Sequence, residues 1–270
     1  SFLIFIACLA AWRGNIIWSG LAFILAVNFK LQSIVYLPII GLLWLPYFLD
    51  PAKWKKLAIA IGLIIVLQLL ILLPFLLEGD LDKMVKVVAG SVDHYPVISA
   101  NAFNMWYWFI DGDPYGVTDR IEFLGITAKN WGLGSFFFSS FILLMPVLLL
   151  VIKEIKKGLA SGKEEMLDII LIAGALVTMN FFFFCTQMHE RYSHPAMIFA
   201  CAYTIRNRKW GLLLLFFLAY FLNMEKVMQY LEWENYDTFI YNPRFVASLF
   251  FIFMVFMYKD LYKNYFALRR

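Results

Sequence analysis

Charge is scarce in this sequence: Asp, Glu, Lys and Arg together make up 16% of its 270 residues. Cysteine is scarcer still, with Cys8, Cys185 and Cys201 each inside or at the edge of an apolar run. Thiols so placed offer neither a disulfide framework nor a ligand spacing, and they read as small apolar side chains. There is no Gly-x-Gly-x-x-Gly, no Walker loop and no βαβ pattern, which excludes a nucleotide-binding domain of the soluble kind in this chain. No stretch alternates polar and apolar residues over the length of a membrane strand, which argues against a β-barrel.

Apolar side chains take the place of what is missing. They make up 63% of the residues, with aromatics alone at 19%, against roughly half apolar in a soluble domain. A globule of this size leaves much of its surface exposed and could not hide that load, whereas a bilayer acts as solvent for it. The net charge of +4 does not point to nucleic acid, because the basic residues sit in short clusters between apolar runs. The expected fold class is therefore all-α, a polytopic transmembrane helix bundle forming one domain over 1–270.

A spanning helix needs about 20 apolar residues, fewer where neighbours shield its ends. Candidate spans are Ser1–Trp12, Ile16–Phe29, Ile34–Leu49, Leu57–Leu77, Ser135–Ile152, Met166–Cys185, Tyr192–Ile205, Trp210–Asn223 and Phe245–Tyr258, about nine crossings. The first reads as the second half of a helix whose beginning lies upstream of Ser1. Basic clusters at Arg13, Lys53/Lys55/Lys56, Lys153/Lys156/Lys157/Lys163, Arg206/Arg208/Lys209 and Lys259/Lys263/Arg269/Arg270 all fall on one side when crossings are counted. Short basic loops mark the cytoplasmic face, so those loops and the C-terminus are expected there. Lys30–Ser33, the long loop 78–134, Thr186–Arg191 and Met224–Arg244 are then extracytoplasmic. A re-entrant hairpin over 192–223 would instead bury the Arg206–Lys209 charges, at about 2.5–3.5 kcal/mol each, so two short helices are preferred. Within the long loop, Leu81, Met84, Val85 and Val88 recur at helical spacing with Lys83 and Lys86 between them, the pattern of a short interfacial helix.

Three groups of residues on the extracytoplasmic side could carry chemistry. Phe29-Lys-Leu-Gln-Ser33 sets Lys30 and Gln32 at a helix end, where the lysine either snorkels beside the helix dipole or holds a phosphate as a point charge. Asn101-Ala-Phe-Asn-Met-Trp-Tyr-Trp108, with His94 upstream, supplies amides for hydroxyls and flat rings for a sugar face; an anchoring aromatic belt is the alternative. His189-Glu-Arg-Tyr-Ser-His194 packs five titratable side chains into six positions at a helix junction. Such residues at membrane depth are costly and tend to be functional, although a Glu–Arg pair in an interfacial belt has the same composition. Asp111-Gly-Asp113 suggests a metal, but the following Pro114 makes a turn the better reading, and no metal site is expected.

Phe29-Lys-Leu-Gln-Ser-Ile-Val-Tyr-Leu-Pro38, Ser99-Ala-Asn-Ala-Phe-Asn-Met-Trp106 and Met188-His-Glu-Arg-Tyr192 occur in an order that resembles the GT-C membrane glycosyltransferases. The resemblance is greatest to the bacterial group similar to GPI mannosyltransferases. The Lys-x-Gln and His-Glu motifs are also similar to those of dolichyl-phosphate-glucose-dependent glucosyltransferases. It runs from about Ile16 to Tyr203. It implies transfer of a hexose such as mannose from a polyprenyl-phosphate donor to a glycan or lipid acceptor on the extracytoplasmic face of a bacterial inner membrane, without a cofactor. It also implies that Lys30 and Arg191 bind the donor phosphate, and that His189 and Glu190 do the catalytic work. Gln32, Asn101, Asn104, Trp106 and Tyr192 would then contact sugar or acceptor. In that family the acidic catalytic residue lies in the first extracytoplasmic loop, which here would precede Ser1, so the chain is expected to be the later part of a larger enzyme.

Two other classes remain open at this point. A transporter or lipid flippase would carry polar residues within its spans and broken helices related by a repeat; Gln68 and Asn180 are among the few such residues here. A non-catalytic assembly subunit would share the architecture without the reaction.

Overall fold

The structure is a computed structural model that describes residues 1–90, 95–156 and 164–269. His94, Lys157, Lys163 and Arg270 lie outside the described residues. The chain divides into two compact units, an N-terminal one comprising Phe2–Tyr95 with Val151–Gly162, and a C-terminal one comprising Ser1, Pro96–Leu150 and Lys163–Arg270.

In the N-terminal unit the apolar runs form α1 (Phe2–Trp12), α2 (Ile16–Phe29), α3 (Leu37–Leu49) and α4 (Trp54–Glu78), followed by α5 (Leu81–Gly90). α2 packs against α1 and α4, and α1 also meets α3. The α1–α2 turn is tied to the α3–α4 turn by Gly14, whose carbonyl accepts from the Tyr47 hydroxyl at 2.6 Å and from Lys56 Nζ at 2.9 Å. Arg13 and the Lys53–Lys56 cluster therefore share one end of this unit, as their common sign implies. Gln68, a polar residue amid apolar ones, exchanges amide hydrogen bonds with Asn28 across the α2–α4 contact, at 2.7 and 3.3 Å. Gly79, at φ +73°, ends α4. The helix expected in the long loop is α5, whose charges pair locally (Lys83 with Asp80, Lys86 with Asp82) while Val85, Val87 and Val88 stay exposed.

The C-terminal unit contains α6 (Trp106–Phe109), most of α7 (Ala128–Lys156), α8 (Glu164–Phe184), α9 (His194–Arg206), α10 (Trp210–Met228) and α11 (Pro243–Arg269). α8 packs on α9 and α11, and α10 on α9 and α11. Gly174 lets α8 approach α9 closely: a Cβ there would lie 2.3 Å from a carbon of the Phe199 ring. Gly132 does the same for α7 and α8, since a Cβ would meet the Phe184 carbonyl at 2.7 Å.

Several polar groups within this bundle pair across helices, although the buried Ser140 hydroxyl has no hydrogen bond among the described residues. Pro146 interrupts α7 and, lacking an N–H, leaves the carbonyl of Ile142 four residues earlier without its helical donor. The Tyr262 hydroxyl of α11 donates to that carbonyl at 2.9 Å. One turn away, the Tyr258 hydroxyl donates to the Ser139 carbonyl at 2.9 Å and accepts from Asn180 Nδ2 at 2.8 Å. Gln68 and Asn180 thus hold helices together.

Among the described residues, six helical stretches are long and apolar enough to cross a membrane, namely Leu31–Leu49, Pro51–Glu78, Ala128–Ile155, Met166–Phe184, Trp210–Met228 and Pro243–Leu268. This fits an all-α membrane helix bundle. Helices form at all nine expected positions, but Phe2–Trp12, Ile16–Phe29 and His194–Arg206, at 11, 14 and 13 residues, fall short of that length. Several boundaries also move. α10 runs five residues past Asn223, α11 begins at Pro243 and continues beyond Tyr258, and α7 begins at Ala128, so the long loop ends at Thr127 rather than at 134.

The α9–α10 turn joins two helices of the bundle, and two of its three charges are paired while Arg208 is exposed. Arg206 binds Glu164 at 2.8 Å and Asp168 at 3.1 Å, and Lys209 binds Asp260 of α11, which also accepts from Tyr203. The start of α8, the end of α9, the start of α10 and the later part of α11 accordingly meet at one basic end of this unit.

Candidate functional site

The opposite end of the C-terminal unit is built from loops. β1 (Ser99–Ala100) pairs in parallel with β4 (Met188–His189), and Asn101 forms a further bridge with His189. Two motifs almost 90 residues apart in sequence thereby share one small sheet. A hairpin, β2 (Glu122–Phe123) with β3 (Ile126–Thr127), leads into α7.

The segment after β1 caps α8. The last carbonyls of a helix have no donors within it, and here residues 104–106 supply them. Asn104 Nδ2 donates to the carbonyls of Phe182 and Cys185 at 3.2 and 3.4 Å, the Met105 N–H to Phe183, and Trp106 Nε1 to Phe184 at 3.1 Å. Asn104 Oδ1 accepts from the Trp106 N–H. Both side chains are buried, and Trp106 packs in an apolar cluster with Ile98, Ile110 and Ala128. The polar atoms of Asn104 and Trp106, read from the sequence as sugar contacts, are engaged in holding the loop to the helix end.

Asp119 makes a second staple. Fully buried at 1% exposure, it accepts from Thr186 Oγ1 at 3.0 Å and Gln187 Nε2 at 2.8 Å, fixing the connection that leads into the His189 motif. Gln187 sits at φ +62°, where few residues other than glycine are comfortable. Asn223 makes a third, its amide donating to the Asn101 carbonyl at 2.9 Å and accepting from the Phe103 N–H at 3.2 Å. Arg244 makes a fourth, reaching the carbonyls of Tyr107 and Ile110 and the Asp111 carboxylate. Asp111-Gly-Asp-Pro114 is a turn, with Gly112 at φ +86° and Asp113 accepting from the Tyr115 N–H. Cys185, at the end of α8, is buried, in keeping with a small apolar side chain.

Held in this frame, Glu190–Ser193 forms one 3-10 turn that packs on α8, α9 and α10. Glu190 is only 5% exposed, yet among the described residues its carboxylate has no ion pair closer than 4.0 Å, the distance to both His189 Nδ1 and Arg191 Nη1. The Arg191 side chain is 60% exposed. The His189 and Tyr192 rings meet edge to face at 5.1 Å, and His194 Nδ1 lies 2.9 Å from the Tyr220 hydroxyl. The structure therefore assembles a buried carboxylate, an imidazole, an exposed guanidinium and Asn101.

Lys30 and Gln32 belong to the N-terminal unit. Lys30 is exposed, with extended backbone at the end of α2 where its N–H closes the last turn on Ala26, and Gln32 is half-buried in the 3-10 turn that follows.

Of the residues that shape the loop end, Asp119, Asn223 and Arg244 carry no signal in the linear sequence beyond their polarity, because their partners lie 67 to 137 positions away. No family model matches this chain, and no curated protein or solved structure matches it either.

Proposed function

We propose that this chain is a GT-C-like membrane glycosyltransferase that moves a hexose from a polyprenyl-phosphate donor to a glycan or lipid acceptor, with its site at the loop end of the C-terminal unit. The observation that carries this reading is the Glu190 carboxylate, buried beside His189 and Arg191 without a tight partner. The side chain is 6% exposed, yet its oxygens are not sealed off, and a carboxylate held by its surroundings but still reachable is what taking a proton from a substrate hydroxyl requires.

In the reaction the acceptor hydroxyl attacks the anomeric carbon, the bond from that carbon to the phosphate oxygen breaks, and the electron pair leaves with the polyprenyl phosphate. The acceptor's proton passes to a carboxylate, for which Glu190 is the candidate within this chain, with His189 orienting it. Arg191 offers an exposed, permanently charged fork to the departing phosphate. Tyr192, edge to face with His189, is a candidate for sugar contact. The basic loops would face the cytoplasm of a bacterial inner membrane and the site its outer side.

Binding of a polyprenyl-phosphate sugar to the chain in nanodiscs tests the donor site. Saturable binding that weakens at least tenfold in Arg191→Ala supports it. In a transfer assay, Glu190→Gln should reduce turnover by about a hundredfold or more with donor affinity kept. Wild-type binding that is indifferent to Arg191→Ala would refute the phosphate assignment, and movement of the lipid across the bilayer without transfer would make the protein a flippase.

A further inference from the structure

A cavity of about 360 Å³ lies at the loop end of the C-terminal unit, with Asn101, Phe103, Tyr107, Asp113, Lys226 and Pro243 in its lining. Sites for small ligands run from about 300 to 1,000 Å³, so this one suits a single ring-sized group. Its walls are fixed by side chains that the proposed reaction does not use. Asn223 holds the Asn101–Phe103 turn, Arg244 holds the backbone of residues 107–111, and Lys226 binds the Tyr236 carbonyl at 2.8 Å and Asp237 at 3.0 Å. It is a built concavity, and Asn101 ties it to the His189 strand.

Tyr107 is the pivotal residue of this lining. It is only 6% exposed, and its hydroxyl, on which no hydrogen bond ends among the described residues, is not one of the fully buried unpartnered atoms, so it is left open to a ligand. Burial, with the Asp113 carboxylate nearby, pushes this phenol above its ordinary value, so it stays protonated and able to donate. The Asn101 side-chain amide likewise has no hydrogen bond among the described residues. The Phe103 and Tyr107 rings, edge to face at 5.2 Å, supply an apolar surface. Charge argues against an anion, because Lys226 is already neutralised by Asp237 and Asp113 adds a second carboxylate.

We propose that this cavity is a carbohydrate subsite, taking one uncharged sugar residue of the acceptor through the Tyr107 hydroxyl, the Asn101 amide and the Asp113 carboxylate. The word acceptor rests on the glycosyltransferase reading above; the recognition of a neutral sugar does not. Hydroxyls pair with these groups, and the C–H face of the ring lies on the aromatic surface.

The test uses the full chain in nanodiscs with mannobiose and maltose as probes and inorganic phosphate as the anionic control. Saturable binding of at least one disaccharide is expected, weakened about tenfold by Tyr107→Phe and abolished by Val227→Trp, which fills the cavity from α10. Thermal unfolding identifies any variant that fails to fold, and the conservative Tyr107→Phe keeps the test decisive if Val227→Trp does fail. Absence of disaccharide binding by the wild type, wild-type affinity in a folded Val227→Trp protein, or displacement of the sugar by phosphate would each overturn the proposal. Donor binding sensitive to Arg191→Ala, without disaccharide binding, would sink the subsite and leave the transferase reading standing. Disaccharide binding lost in Val227→Trp, without any donor binding, would do the reverse.

Discussion

Asn104 shows how one side chain can have two plausible meanings that only its partners separate. In the sequence it stands among aromatics, the company a sugar-binding amide keeps. In the fold its amide donates to two carbonyls at the end of α8 and accepts from the Trp106 N–H. Replacing it with alanine leaves buried carbonyls without donors, so Asn104→Ala should lower stability by about 1–3 kcal/mol. The effect should appear as a reduced unfolding temperature in nanodiscs, with sugar binding lost only in proportion to unfolding. Glu190 is the contrasting residue. It is buried too, at 5% exposure against 0%, but among the described residues no ion pair closer than 4.0 Å reaches it, and Glu190→Gln should cost activity while leaving the unfolding temperature near that of the wild type.

For whole elements, a kink-prone helix is repaired by its neighbour. Pro146 would leave the Ile142 carbonyl orphaned in an apolar setting, and Tyr262 of α11 supplies the missing donor. Tyr262→Phe should therefore destabilise the bundle by about 1–3 kcal/mol. Pro146→Ala restores the helical N–H, so in the double variant the loss of the hydroxyl should cost much less. Thermal unfolding of the four proteins in the cycle measures that coupling; strictly additive effects would mean that the hydroxyl does not serve the proline's vacancy. Neither partner predicts the other from sequence, because 120 positions separate them.

Across the whole molecule, charge sorts the helix ends. Within the N-terminal unit Arg13 and Lys53–Lys56 share an end, and within the C-terminal unit Arg206 and Lys209 meet the start of α8 and the later part of α11. Single cysteines placed at Lys55, Arg208 and Lys263 should all react with an impermeant maleimide from the cytoplasmic side. Cysteines at Tyr115 and Glu234 should react from the other. The native Cys8 and Cys185 are buried and give little background. Labelling of Lys55 and Arg208 from opposite faces would mean an odd number of crossings between them and would break the nine-span scheme.

The sequence by itself determined the class of fold, the places where helices form and the ends at which charge collects. Each of these follows from local composition: a run of apolar side chains fixes a helix, and the lysines and arginines beyond it fix an interface. It also marked His189–Tyr192, since titratable residues stand out against an apolar background. Tertiary structure decided which polar residues are engaged and which are left loose. Asn104 and Trp106 cap α8, Asp119 and Asn223 staple loops, and Tyr107 lines a cavity with a hydroxyl that no described residue answers. Hydrogen-bond satisfaction depends on groups brought together from distant positions, and it is written in the packing rather than in any stretch of the chain.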